Sequence, residues 1–163
     1  MLILATSLRQ IRFRELMEVY ADSNDEKASD WPDLPHGFAL NLAEQDFRQY
    51  LDEVFFRTPG ALCALWEEDA RYASALRLEP YKDGYLLEAL ETHPLLRRKG
   101  YAVKLIRAVQ QHLGSVRIYS HVNKRNLASL KTHERCGFVP FSDHAVYING
   151  SVDHRCCTLV YEP

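Results

Sequence analysis

Apolar and polar positions recur with different periods along this chain, and the changes of period mark out its elements. Residues 2–5 (LILA) form a short apolar run that reads as a strand. Ser7-Leu8-Arg9-Gln10 has the form of a capping box, in which Gln10 reaches back to the Ser7 amide. Phe13, Leu16, Met17 and Tyr20 then recur at helical spacing. The pattern fails from Ala21 to Gly37, where Asp22, Asp25, Glu26, Asp30 and Asp33 accompany two prolines and Trp31. That stretch reads as a long, acidic, mobile connection. A second helix is expected over about 43–56, with Phe47, Tyr50, Leu51, Val54 and Phe55 on one side and Thr58-Pro59-Gly60 ending it.

Strand signals follow at 61–67 and 71–79. Tyr81-Lys82-Asp83-Gly84 is turn chemistry, with Gly84 as the residue that tolerates positive φ. A third strand spans 85–92 and stops before Pro94. Residues 97–113 read as a helix with Ala102, Leu105, Ile106, Val109 and Leu113 inward and Gly114 capping its end. A strand over 115–122 and a short helix over about 127–136 come next, with Asn126 as N-cap and Gly137 as C′. Residues 138–148 and 151–162 are expected to form a hairpin around Asn149-Gly150, in a type I′ turn. The helix between strands 85–92 and 115–122 makes a crossover, so those two strands should run parallel. The pattern predicts a mixed α/β (α+β) fold: one mainly antiparallel central sheet with flanking helices, as a single domain over 1–163.

Composition narrows the classes. A chain of 163 residues with 47% hydrophobic and 26% charged residues buries a core of its own. No apolar run approaches the roughly 20 residues of a membrane helix, so no membrane partner is expected. The opening MLILATSLRQ has no basic lead and too short an apolar stretch for a secretory signal. Cys63, Cys136, Cys156 and Cys157 show no CxxC spacing, so they read as buried free thiols, with no metal site and a cytoplasmic location. Charge is sorted unevenly along the chain. Between Thr92 and His133 lie nine basic residues and no acidic one: Arg97, Arg98, Lys99, Lys104, Arg107, Arg117, Lys124, Arg125 and Lys131. Such a segment suits a polyanionic ligand. A pI near 6.4, and the lack of interleaved exposed aromatics among those cations, argue against nucleic acid, and RNA binding through this segment is the weaker reading.

Arg97-Arg98-Lys99-Gly100-Tyr101-Ala102 stands where a strand gives way to a helix. First-turn amides have no intrahelical partner, and the helix dipole places partial positive charge there. Gly100 and Ala102 are small enough for a phosphate to approach the backbone. The segment is thus suited to a pyrophosphate, although it is neither a Walker loop nor a GxGxxG fingerprint. A solvated basic cluster at an ordinary helix start is the alternative.

This R-x-x-G-x-A run resembles the acetyl-CoA pyrophosphate motif of the GCN5-related N-acetyltransferases (the GNAT superfamily). Asn126 to Phe138, with Ser129 three on, an aromatic ring seven on and Gly137-Phe138 at the end, is similar to that superfamily's later motif. The resemblance covers 85–140 strongly and the earlier part in element order alone. It implies a GNAT-like acyl-CoA fold in which the parallel pair splays apart to take the pantetheine arm. By position, backbone groups of Leu90 and Thr92 would meet the pantetheine amides. Arg97, Arg98, Lys99, Gly100, Tyr101 and Ala102 would surround the pyrophosphate, Asn126 would bond the pantetheine or tie down the opened strand, and Ser129 would join the cofactor site. One of Lys124, Arg125 or Lys131 would reach the 3′-phosphate. Acetyl-CoA is then the cosubstrate, and the reaction is direct attack by a primary amine, of a small molecule or a peptide, in a ternary complex.

An alkyl amine has a pKa of about 10.4, so a base or proton path helps it attack. Strand alternation puts Glu88, Leu90 and Thr92 on one face and Glu91 on the other. Glu88 is therefore the expected base, and a bulge in the strand would promote Glu91 instead. The thiolate acid that the resemblance implies is a tyrosine, and here that position is His133, with Tyr119 and Tyr147 next in line. The acidic 22–33 stretch suits a cationic acceptor, and Trp31, Phe38, His144, Tyr147 and His154 are expected to line its pocket. A non-catalytic acyl-CoA sensor or regulatory module is the alternative function. Monomer and homodimer both remain open.

Overall fold

The structure is a computed structural model that describes residues 1–163. In chain order its elements are β1 (Leu2–Ala5), α1 (Phe13–Val19), α2 (Ala21–Ala28), α3 (His36–Glu53), β2 (Leu62–Glu68), β3 (Arg71–Tyr81), β4 (Gly84–Thr92), α4 (Tyr101–Leu113), β5 (Arg117–Asn123), α5 (Leu127–Arg135), β6 (Val139–Ser142), β7 (Ala145–Val146), β8 (Val152–Asp153) and β9 (Cys156–Tyr161). Seven strands form one sheet in the order β1-β2-β3-β4-β5-β9-β6, and β7 and β8 pair separately. Every neighbouring pair in the large sheet is antiparallel except β4 with β5, as the crossover through α4 requires.

Strand alternation sends successive side chains to two cores. Cys63, Leu65 and Ala75 join Leu16, Met17, Leu51 and Phe55 from α1, α3 and the turn after α3. Ala64, Leu76 and Leu78 join Leu105, Ile106 and Val109 from α4 on the opposite face. Gln110, on the buried side of α4, donates to the Cys136 carbonyl at 2.8 Å and fixes the end of α5 against α4.

Four expectations need correction. The capping box is present, with Gln10 Oε1 accepting from the Ser7 amide at 3.2 Å, but it closes a single 3₁₀ turn and the helix begins at Phe13. The acidic connection is largely helical. α2 buries only Asn24 and Ala28, too narrow a stripe to register as periodicity, and the Asn24 side chain bonds Met17 Sδ at 3.4 Å. Packing against α3 decides the conformation where local propensity does not. α3 itself starts at His36, seven residues before the pattern announces it, because its first turn leaves Phe38 exposed and the buried positions there are the small Ala39 and Ala43. Residues 97–100 form a turn, and α4 begins only at Tyr101.

Two glycines act differently from the sequence reading. Gly84 does not have positive φ; Lys82 does, at +50°. A Cβ on Gly84 would sit 2.1 Å from the Arg117 carbonyl oxygen, so the glycine is required by the close approach of β5. In the Asn149-Gly150 loop only Gly150 has positive φ, and its amide bonds the Tyr147 carbonyl at 2.8 Å. A type I′ turn needs positive φ at both central residues, so this is a longer loop closed by a glycine bulge.

Candidate active site

β4 and β5 pair from Gly84↔Arg117 to Leu87↔Ser120 and no further. Past that point β4 stays with β3 as far as Thr92↔Ser74, and β5 stays with β9 as far as Asn123↔Cys156. Each strand is held by its outer neighbour, so the sheet opens between them. The opening coincides with a bulge. Arg77 pairs with Glu88 and Ala75 with Glu91, so between these pairs one residue on β3, Leu76, opposes two on β4, Ala89 and Leu90, and Ala89 has φ +49°. The Tyr20 hydroxyl donates to the Ala89 carbonyl at 2.7 Å and holds this bulge from α1. The extra residue changes the parity of the strand. Glu88 and Glu91 now share a face, while Leu90 and Thr92 take the other, which corrects the expected grouping of Glu88 with Leu90 and Thr92.

A cleft of about 640 Å³ occupies the split. It brings together Leu90, Thr92, Arg97, Arg98, Gly100, Tyr101, Ala102, Asn126 and Ser129; Lys99 is exposed and does not line it. Arg98 and Gly100 both have positive φ, +61° and +81°. The amides from Arg97 to Gly100 donate to no group in the protein, and those of Tyr101 to Val103 open the helix with no carbonyl a turn earlier to receive them. Alternating backbone signs followed by a helix start form a concave anion site of the nest type. Asn126 Oδ1 accepts from the Ser129 amide at 3.1 Å, so these two also cap α5. Arg97 is partly engaged already, pairing with Asp22 at 2.5 Å and reaching the Thr92 carbonyl at 3.4 Å.

Lys131, Thr132 and Arg135 line the far wall. Arg135 lies beyond the acid-free segment, and its signal was the i,i+4 spacing from Lys131 on one face of α5. Several cations of that segment do not converge on the cleft. Arg117 pairs with Asp83 and Glu162 at the other end of the sheet, Lys104 stands over the Trp66 and Tyr101 rings, and Lys124 donates to the His154 carbonyl.

A second cavity, of about 370 Å³, lies on the other face of β4 under α2 and α3. Tyr20, Ala43, Phe47, Tyr50 and Ala89 give it apolar walls; Arg77 and Glu91 face it from the sheet, and Asp46 and Lys27 stand on its helical side. Trp31, Phe38, His144, Tyr147 and His154 are not among its walls. Glu91 lines both cavities. Its carboxylate accepts from the Ser23 hydroxyl, its carbonyl accepts from Ser74 Oγ at 2.6 Å, and burial raises its pKa above the usual carboxylate range.

Glu88 lines neither cavity and stands beside Arg77 and Glu79. Burial, together with the neighbouring Glu79 carboxylate, pushes it up to about 7 against the opposing pull of Arg77. A carboxyl whose folded pKa is raised holds a proton that the unfolded chain has released, so its stabilising contribution is lost as pH rises from about 4.5 to about 7. Glu88→Gln is therefore expected to raise the urea midpoint at pH 8 and leave it nearly unchanged at pH 4.5; equal shifts at both pH values would contradict the raised pKa.

His133 is 1% exposed and is not part of the cleft wall. Its Nδ1 lies 2.8 Å from the Ser129 carbonyl, an acceptor, so Nδ1 carries the proton and Nε2 a lone pair with no partner. Burial lowers its pKa. At neutral pH this imidazole is a proton acceptor. Tyr119 is directed to Asp83 at 2.6 Å, away from the cleft, and Tyr147 packs on the His121 ring at 5.1 Å.

Residues 13–138 match the sequence model of the Acetyltransferase (GNAT) family. Among solved structures, the chain resembles a PaiA N-acetyltransferase from Thermoplasma acidophilum in complex with coenzyme A, with a TM-score of 0.67 at 11% identity over 100% of this chain and 99% of that one. It also resembles the ribosomal-protein-S18-alanine N-acetyltransferase of Escherichia coli (TM-score 0.61, 15% identity, 99% and 94% covered) and an aminoglycoside 6′-acetyltransferase type Ii (TM-score 0.63, 12% identity, 98% and 96% covered). At such identities the likeness is one of fold. A search of curated protein sequences finds no significant match.

Proposed function

Because the chain belongs to the GNAT acetyltransferase family, we propose that it transfers an acetyl group from acetyl-CoA to a primary amine by direct attack in a ternary complex. The observation that carries this reading is the end of β4–β5 pairing at Leu87 and Ser120 beside the bare amides that open α4. The residues present fit a nucleotide thioester. Arg97, Arg98, Lys131 and Arg135 face the cleft, and Glu91 is the one carboxylate in its wall. The unpaired β4 edge at Leu90 and Thr92 offers backbone groups to an extended ligand, as a missing strand would use them. The Arg98–Ala102 amides suit the phosphates. When bound, acetyl-CoA supplies an activated carbonyl.

Glu91 is the proposed base. It is the one residue that walls both the cleft and the apolar cavity behind it, so an amine entering the cavity meets this carboxylate before it meets the thioester. A raised pKa suits a base that must take a proton near neutral pH. As the new C–N bond forms and the C–S bond breaks, the proton that leaves the amine passes to Glu91, and one returns to the departing thiolate. That sulfur resembles a cysteine thiolate, pKa about 8.5, and leaves readily without a dedicated acid. His133 suits the acid role poorly, since burial opposes the protonation of Nε2 that the role requires. His133→Phe is accordingly expected to lower kcat by less than about tenfold, against the ~10²–10⁴-fold loss expected on removing a general acid.

The test of the whole reading is thiol release from acetyl-CoA over a panel of amines and peptides, run beside CoA-dependent thermal stabilisation. Release with some amine supports it. Stabilisation by CoA with no release for any acceptor would turn the reading to a non-catalytic acyl-CoA-binding module, and no stabilisation by CoA would end both.

A further inference from the structure

Arg77 stands in the wall of the cavity that faces Glu91, and although Glu88 and Glu91 both feel its charge, neither forms an ion pair with it. Its guanidinium lies 5.0–5.7 Å from the ring centres of Phe47, Tyr50 and Phe55. Its Nε is sealed under those rings without an acceptor. No carboxylate pairs with it: Glu88 is pushed up to about 7 and is only partly ionised at neutral pH, Glu91 is engaged by Ser23, and on the helical side Asp46 stands by Lys27. A guanidinium has five donors in a planar fork, and one left without hydrogen-bonded acceptors in a half-buried apolar setting is costly. The same side chain lines the cavity.

We propose that the acceptor is an amine that also bears a carboxylate, of amino-acid size, with the carboxylate seated on Arg77 and the amino group at Glu91. This rests on the transferase reading above and deepens it. The fork of Arg77 matches a carboxylate bidentately, which a single ammonium could not do. Tyr20, Phe47 and Tyr50 supply flat apolar surface for a hydrophobic or aromatic side chain between the two polar ends. A cavity of about 370 Å³ lies at the small end of ligand sites, which suits an amino acid and excludes a large amino sugar. The acidic residues of α2 and the turn after it point to a cationic acceptor only if they face this space, and Asp22, Asp25 and Asp30 already stand against Arg97, His36 and Lys27. The products are then an N-acetylamino acid and free CoA thiol: the amine nitrogen gains the acetyl group and gives up one proton, and the sulfur gains one.

The experiment compares phenylalanine, leucine, their decarboxylated amines and spermidine by thiol release, and measures binding of N-acetylphenylalanine and N-acetylphenethylamine by calorimetry. Binding of the acetylated products needs no turnover. We expect kcat/KM for the amino acids to exceed that of the decarboxylated amines by roughly 10- to 100-fold, the range of one charge-assisted pair. Arg77→Gln should remove that preference and leave acetyl-CoA affinity near wild type, and Arg77→Lys should restore part of the preference. If Arg77→Gln fails to fold, the product-binding comparison in the wild-type protein decides alone. Equal or tighter binding of the decarboxylated product, or faster turnover of spermidine, overturns the proposal while the transferase reading stands. If no amine is acetylated and neither product binds although CoA does, the transferase reading falls and this inference falls with it.

Discussion

Glu91→Gln should lower kcat by about 10²–10⁴-fold and leave the affinity for acetyl-CoA within a few-fold of wild type. Glutamine keeps the size of the side chain and can still bond the Ser23 hydroxyl, so the loss would be chemical. The pH profile carries the sign. Burial raises the Glu91 pKa, and a base works only when ionised, so kcat/KM in the wild-type protein should climb with pH along a limb lying above the ordinary carboxylate range. In Glu91→Gln that limb should disappear. A full loss on Glu88→Gln, with Glu91→Gln nearly active, would return the base to Glu88 and deny the consequence drawn from the bulge. Initial rates across pH 5–9 with a single amine distinguish the two.

Gly100→Asp should weaken acetyl-CoA binding by about 100-fold or more, equivalent to roughly 2.8 kcal/mol. Gly100 has φ +81°, a region that aspartate tolerates better than bulkier residues, and a Cβ there meets nothing within 4 Å, so the protein should still fold. The introduced carboxylate would sit among N–H groups that lack protein acceptors, bond them itself, and repel phosphate. The measurement is the thermal shift given by CoA: it should vanish in the variant, while the melting temperature without CoA moves by a few degrees at most. An unchanged shift would mean that the start of α4 is not where the phosphates bind.

What was legible in the chain beforehand follows from how local each requirement is. The cap of α5 is a short-range matter, an asparagine bonding an amide three residues on, and the sequence states it outright, whereas the basic run before α4 reads as helix although the helix begins only at Tyr101. The parallel β4–β5 pair follows from the crossover and is as expected. α2 and the first turns of α3 are set by what they pack against, and their small or polar buried residues, Asn24, Ala28, Ala39 and Ala43, give no periodic signal. A bulge is the circumstance that would promote Glu91, but nothing in the sequence places it at Ala89. Alanine carries no mark of positive φ, and the conformation is held by Tyr20, 69 residues away. That single residue decides which glutamate faces the second cavity. Arg77 gives no signal for the same kind of reason: an arginine within a strand reads as a solvent-facing residue until three aromatic rings from α3 and the turn after it close over it.

Because only the residue pairs from Gly84↔Arg117 to Leu87↔Ser120 join the two halves of the sheet, β1 through β4 on one side and β5, β9 and β6 on the other meet along a short seam. An elongated molecule laid in the rift would act as a staple between them, bridging backbone that no strand pairing joins. Occupancy at the mouth of α4 would then be felt as stiffness along the seam, and the close packing of Gly84 against Arg117 would be the pivot about which the halves flex.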